Sequence, residues 1–262
     1  MLSTRRLPLA VLTCLLLSTG LLTATSTSTS AAPGDPVLPD LIVLDLNSCS
    51  DAEDTNPDPD VDNCFRIVRS DGRKLLKFPA VTGNIGEGDL RVRAKRASAS
   101  ATNWHARQII STEGGTRTDR RIPRMNFYYA GDGHAHWHIR NFDTYTLTDS
   151  SGVLARGEKH GFCLEDNRDL PGTTSDPIFT HDRVCGVEKP RATRILHGLS
   201  SGWGDTYPSS LPDQAIDITG LADGTYTVRV KADGRRLVRE SDNSNNAARV
   251  QIDIEGRTVT PH

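Results

Sequence analysis

No stretch of about a dozen residues in this chain repeats its apolar side chains every three to four positions, whereas several short stretches repeat them every two. Tyr226, Val228 and Val230 alternate with polar residues, and so do Ala248, Val250, Ile252 and Ile254. Period two sends successive side chains to opposite faces, so these read as half-buried strands. Shorter apolar runs, Leu41 to Leu44, Leu75 to Val81, Phe142 to Leu147 and Ile216 to Ile218, are separated by Gly, Pro, Asp and Asn clusters and read as further strands. The expected class is mainly β, a single β-sandwich-like domain with long loops and few helices. A chain of 262 residues can bury one full-sized core, or at most two small ones, and one is expected. Two regions read as long loops, acidic Asp51 to Asn63 and basic Ala94 to Arg124.

The ends read differently from the middle. Arg5 and Arg6 precede an apolar run from Leu7 to Leu22 and a small-residue stretch ending at Ala31-Ala32, the layout of a secretory signal peptide over residues 1–32. Either the general or the twin-arginine route fits that start. Residues 33–38 read as a flexible tail, 39–256 as the folded domain and 257–262 as a C-terminal tail. No later run approaches the roughly 20 apolar residues of a membrane span. The leader takes two arginines and no acid from a formal net charge of -2, leaving about -4. That balance argues against nucleic acid as the main partner. Four cysteines remain after cleavage, Cys49, Cys64, Cys163 and Cys185, none in a C-x-x-C spacing. In an oxidising compartment they read as two disulfides. Chain order suggests Cys49–Cys64 and Cys163–Cys185 among three possible pairings.

The segment Gly133-His134-Ala135-His136-Trp137-His138 places three imidazoles at alternating positions, hence on one face of a strand. The outer two Cα atoms of a straight strand would be roughly 13 Å apart, so one ion can bind all three only if the chain bends or bulges, with Gly131 and Gly133 placed to allow it. Three neutral imidazoles without a thiolate suit copper(II) or zinc, and copper has the higher intrinsic affinity.

The string GHAHWHIRNFDTYTL, followed by EKHGFCLED at Glu158 to Asp166, resembles the catalytic domain of the lysyl oxidases. PDLIVL at Pro39 to Leu44, GLSSGWGDTYPSSLPDQAIDITGLADGTYTV from Gly198 to Val228 and RLVRESDNSNNAARVQI from Arg236 to Ile252 resemble the rest of it in order and approximate spacing. The resemblance implies that residues 39–256 form a lysyl oxidase-like catalytic domain, with copper on His134, His136 and His138. It also implies a lysine tyrosylquinone built from Lys159, three residues before the Phe of FCLED, and Tyr207, which closes DTY. The implied activity is oxidation of peptidyl lysine or another primary amine to an aldehyde, with dioxygen as acceptor and ammonia and hydrogen peroxide released. Lysine-containing proteins or peptides and small primary amines are the implied partners, and the exported protein would be extracellular or associated with the cell wall. A buried carboxylate would suit the proton abstraction, and Asp205 is the nearest in sequence to Tyr207. Tyr226 and Tyr145 read as core and strand; Tyr128 and Tyr129, just before the histidines, read as neighbours of the metal site.

Glu240-Ser241-Asp242-Asn243-Ser244-Asn245-Asn246 concentrates the carboxylate and amide oxygens that calcium prefers. The same resemblance implies a structural calcium ion on Glu240, Asp242, Asn245 and Asn246, with the Asp40 side chain and the Leu41 carbonyl. The spacing from His138 to Phe142 and Tyr145 is one residue shorter than in the animal enzymes. Two other classes stay open on the sequence: a copper-binding extracellular or cell-surface module without a quinone, and a zinc hydrolase. The latter would need a base beside the histidines, as in H-E-x-x-H, and none stands there.

Overall fold

The computed structural model describes residues 34–46, 65–131, 134–211 and 213–262, which fall in one compact unit. The signal peptide, the acidic stretch Asp51 to Asn63 and the Cys49–Cys64 pairing lie outside the described residues. Twenty strands and no helix occur among those described, so the fold is mainly β, as the period-two pattern required; the few helices expected are not found there. All the strand pairs are antiparallel, and they form five small sheets.

The alternating C-terminal segments pair with each other. Gly224–Lys231 and Ala247–Glu255 run antiparallel with Val228 opposite Val250 and Tyr226 opposite Ile252, and these four side chains are buried. Thr144–Asp149 pairs on the other side of Gly224–Lys231. The run expected from Leu75 to Val81 is two strands, Arg73–Lys77 and Ala80–Asn84, because Pro79 between them has no amide proton for a ladder.

Three expectations are corrected. Residues 257–262 are not a free tail: Thr258–Pro261 pairs with Ala247–Glu255, extending the same sheet. Within 33–38, Pro36–Val37 pairs with the strand His105–Thr112. The long basic loop from Ala94 to Arg124 instead contains a hairpin, His105–Thr112 with Arg117–Ile122, turning near Gly114-Gly115. Its inward positions include Gln108 and Thr112 beside Ala106 and Ile110, so the apolar alternation was diluted. Gln108 is fully buried because its side-chain amide bonds both ways to the backbone of Arg239, at 2.7 Å each.

One large apolar cluster runs beneath all five sheets, from Leu41 and Val92 to Ile139, Leu147, Ile216 and Ile252. Two of the sheets position the candidate site. In the first, Trp137–Arg140 lies between Phe127–Tyr129 and Gly161–Phe162; in the second, Trp203–Tyr207 lies between Arg168–Asp169 and Ala80–Asn84. Cys163 and Cys185 form a disulfide, as chain order suggested, tying the chain after Gly161–Phe162 to the loop before Arg194–Leu199.

Candidate metal and lysine–tyrosine site

The strand Trp137–Arg140 carries only the last of the three histidines; His136 lies in a bend and His134 before it. The bend is centred on Ala135, whose φ is 36°, rather than on Gly131; Gly133 is outside the described residues. A positive φ is uncommon for alanine, and two hydrogen bonds hold the segment there: the Glu188 amide donates to the Ala135 carbonyl and the Trp137 amide to the Cys185 carbonyl, both at 2.7 Å. The bend solves the span problem. The His134 ring centroid lies 5.7 Å from that of His136 and 5.8 Å from that of His138, and the latter two are 4.6 Å apart.

The donor set fits a cation. Nε2 of His136 and Nε2 of His138 approach to 2.7 Å, close to the roughly 2.9 Å expected of two imidazole ligands at right angles around one ion with bonds near 2.0–2.1 Å. Burial, reinforced by the neighbouring His136 and then Lys159, pushes the His138 pKa down to about 2, so its ring is the neutral form that a metal requires. The Tyr128 hydroxyl lies 3.2 Å from His138 Nδ1, the outer partner that fixes a ligand ring's orientation. Gly161, opposite Arg140 in the ladder, lets the chain pass against that pair.

Lys159 and Tyr207 come together although 48 positions separate them in sequence. The Lys159 Nζ stands 4.9 Å from the centroid of the Tyr207 ring and 5.4 Å from that of Phe162, while Phe162 meets Tyr207 edge-on at 5.3 Å. The lysine side chain is only 3% exposed, and its one ion-pair partner among the described residues is Asp213 at 3.5 Å. The Tyr207 hydroxyl bonds to the Asp205 carboxylate and lies 3.3 Å from the Cys163 carbonyl. Asn167 donates to the other Asp205 oxygen at 2.7 Å. Burial, then the charge of Glu165, raises the Asp205 pKa well above the carboxylate range; burial, then Asp205, raises that of the Tyr207 phenol.

A cavity of about 230 Å³ joins these groups: the three histidines, Lys159, Asp205 and Tyr207 all line it. It contains three residues that the sequence reading did not single out. His181 Nδ1 lies 2.8 Å from Glu165 Oε2, its ring is 5.8 Å from that of His136, and Asn167 holds Asp205. His181 sits in an irregular loop, so no periodicity pointed to it. A second group, Cys163, Cys185 and His197, brings two sulfurs and a ring nitrogen within 4.8 Å. Those sulfurs are joined to each other, and a disulfide has no thiolate to offer a metal.

The Glu240 to Asn246 loop meets the start of the strand Leu41–Val43. Glu240 accepts from the Leu41 amide at 2.9 Å and from the Asn246 side chain at 2.9 Å, and the Asn245 side chain donates to Asp40 at 2.8 Å. The side-chain oxygens of Asn245 and Asn246 are buried without a hydrogen-bond partner, and burial raises the Glu240 pKa to about 7. Unmatched buried oxygens beside two carboxylates suit a hard cation. Asp242 is exposed, and one of its oxygens accepts from the Ser244 amide at 2.7 Å. Of Leu41, the bond seen here is from its amide.

The domain is β-rich and sets a histidine cluster beside a buried lysine that faces a tyrosine ring. The sequence profile of the lysyl oxidase family matches residues 107–262, and the chain belongs to that family. It is 31% identical over 202 residues to the protein-lysine 6-oxidase of Gallus gallus, covering 73% of this chain and 38% of that protein. Against the protein-lysine 6-oxidase of Sus scrofa the identity is 31%, over 73% of this chain and 64% of the other. Against lysyl oxidase homolog 1 of Homo sapiens it is 34% over 193 residues, 72% of this chain and 26% of the other. The chain thus spans from about a quarter to just under two thirds of the length of these relatives.

Proposed function

We propose that this protein is a copper- and quinone-dependent amine oxidase that converts peptidyl lysine or other primary amines to aldehydes. The observation that carries the reading is the Lys159 amine stacked 4.9 Å from the Tyr207 ring centroid in the cavity that also holds His134, His136 and His138. Burying a lysine amine this deeply is costly, and a cross-link between the two side chains needs the approach that the burial gives.

With dioxygen, copper on the three histidines would supply oxidation of the Tyr207 phenol to the quinone level, and the Lys159-linked quinone would take up the two electrons of the amine. The chain's own residues do the positioning. Phe162 and the Cys163 carbonyl fix the Tyr207 ring and hydroxyl, and burial holds Lys159 over its face. Asp205, with its raised pKa, is a strong base for a carboxylate and stands at the reacting ring, so it is assigned the removal of the proton from the substrate α-carbon. The net reaction consumes amine, dioxygen and water, and releases aldehyde, ammonia and hydrogen peroxide.

Glu240, Asp242, Asn245, Asn246, Asp40 and Leu41 are assigned a structural calcium, which would tie the strand Leu41–Val43 to the C-terminal hairpin. Export fits the Cys163–Cys185 disulfide. Among the described residues no helix is long and apolar enough to cross a membrane. The deciding experiment is amine-dependent peroxide release by copper-loaded protein, wild type against Tyr207→Phe, with a lysine-rich polypeptide and a small diamine. Peroxide from wild type alone supports the oxidase. None from either, despite bound copper, would leave a copper-binding module, and near-stoichiometric zinc with activity surviving a copper chelator would favour a hydrolase.

A further inference from the structure

A second cleft, of about 430 Å³, lies on the sheet that carries the basic hairpin, and none of the proposed oxidase residues lines it. Its cations are Arg91, Arg93, Arg117, Arg183, Lys189 and Arg194, against one carboxylate, Asp119. They come from different parts of the chain. Arg91 and Arg93 alternate along the strand Leu90–Lys95, Arg194 begins its neighbour Arg194–Leu199, Arg117 begins the outer strand Arg117–Ile122, and Arg183 and Lys189 come from the loop around Cys185. The strand residues share the solvent face, since the intervening Val92, Ala94 and Ile195 are buried.

Little of this charge is cancelled within the protein. Asp119 pairs with Arg93 at 3.4 Å and with Arg107 at 3.2 Å, and Arg91 pairs with Asp89 at 3.5 Å. Arg117, Arg183, Lys189 and Arg194 have no ion-pair partner among the described residues. Concentrating unpaired cations in one concave place costs self-repulsion, and it happens here in a chain whose net charge is negative. The cleft's volume is within the roughly 300–1,000 Å³ of ligand sites. The apolar side chains on its face are aliphatic, Ile109 and Leu196, with no aromatic ring on which a nucleobase could stack. Guanidinium groups match phosphate and sulfate oxygens in geometry as well as charge.

We infer that this basic cleft binds a linear extracellular polymer carrying phosphate or sulfate esters on a saturated backbone, holding the protein on an anionic matrix or wall. The test measures binding of the whole mature protein to heparin and to poly(glycerol phosphate), with neutral dextran as control, across a salt series. Arg117→Glu with Arg194→Glu should weaken binding about tenfold or more and lower the salt slope by about one per lost contact. Arg249→Glu with Arg257→Glu, the same charge change outside the cleft, should stay within about twofold of wild type. Tighter binding to heparin assigns a sulfated glycan, and tighter binding to poly(glycerol phosphate) assigns a phosphate-ester polymer. Equal losses in both double variants, no binding by wild type, or duplex DNA competing as well as either polymer would overturn the assignment. If the first pair fails to fold, Arg183→Ala with Lys189→Ala, confined to the loop, makes the same test.

Discussion

Gly161 and His138 meet so closely across their ladder that a β-carbon on residue 161 would stand 2.2 Å from His138 Nδ1 and 2.1 Å from the Tyr128 hydroxyl. Room for it would require both the Tyr128 phenol and the His138 imidazole to shift. Gly161→Ala should therefore lower copper uptake at least about tenfold and cost about 1–3 kcal/mol of stability from overpacking. Metal content after dialysis and the copper electron paramagnetic resonance spectrum check this; an unchanged spectrum would mean that His138 is not a ligand.

Asp205→Asn keeps the shape of the carboxyl and removes its basicity. If Asp205 takes the substrate proton, kcat falls by about 10²–10⁴ while KM, bound copper and quinone staining persist. Loss of the quinone stain instead would make Asp205 a positioning residue for the Tyr207 ring during cofactor formation.

Asp143 is buried, accepts from the Thr82 hydroxyl at 2.6 Å, and has its pKa raised to about 7, chiefly by burial. Its folded pKa exceeds its unfolded value, so its contribution to stability is present in full below about pH 4 and is lost as pH rises through about 7. Asp143→Asn mimics the protonated carboxyl. It should be near neutral at pH 4 and stabilising at pH 8, on the order of 2 kcal/mol, in denaturant unfolding at the two pH values. An equal effect at both would show that Asp143 ionises normally.

The loop around Glu240 and the strand Leu41–Val43 should behave as one calcium-responsive unit. At a calcium concentration about a hundred times Kd the gain is about 2.7 kcal/mol, readable as a rise in Tm, and Glu240→Gln should abolish it. Magnesium, which favours a smaller octahedral site, should do little. A Tm indifferent to calcium in the wild type would leave Asn245 and Asn246 as part of a polar hairpin.

The strand pair at the C-terminus was legible because each strand buries one face: Val228 and Val250, or Tyr226 and Ile252, must alternate with polar residues whatever else the protein does. The hairpin at 105–122 was not, because its outer face serves charge and its inner face includes Gln108, satisfied only by the distant Arg239 backbone. Local pattern cannot register a hydrogen bond made across 131 residues.

By itself the sequence determined the class of fold, the family and the candidate histidines, lysine and tyrosine, since these rest on period-two burial and on ordered local motifs. Only the tertiary structure decided that the chain turns at Ala135 and not at Gly131, that His181, Glu165 and Asn167 share the cavity, and that arginines from three strands and a loop make one cleft. The physical reason is common to all three. A backbone strain held by the Cys185 and Glu188 loop, a side chain delivered from an irregular segment and an electrostatic field summed over a sheet are products of contacts between distant parts of the chain, and no neighbouring residue in the sequence records them.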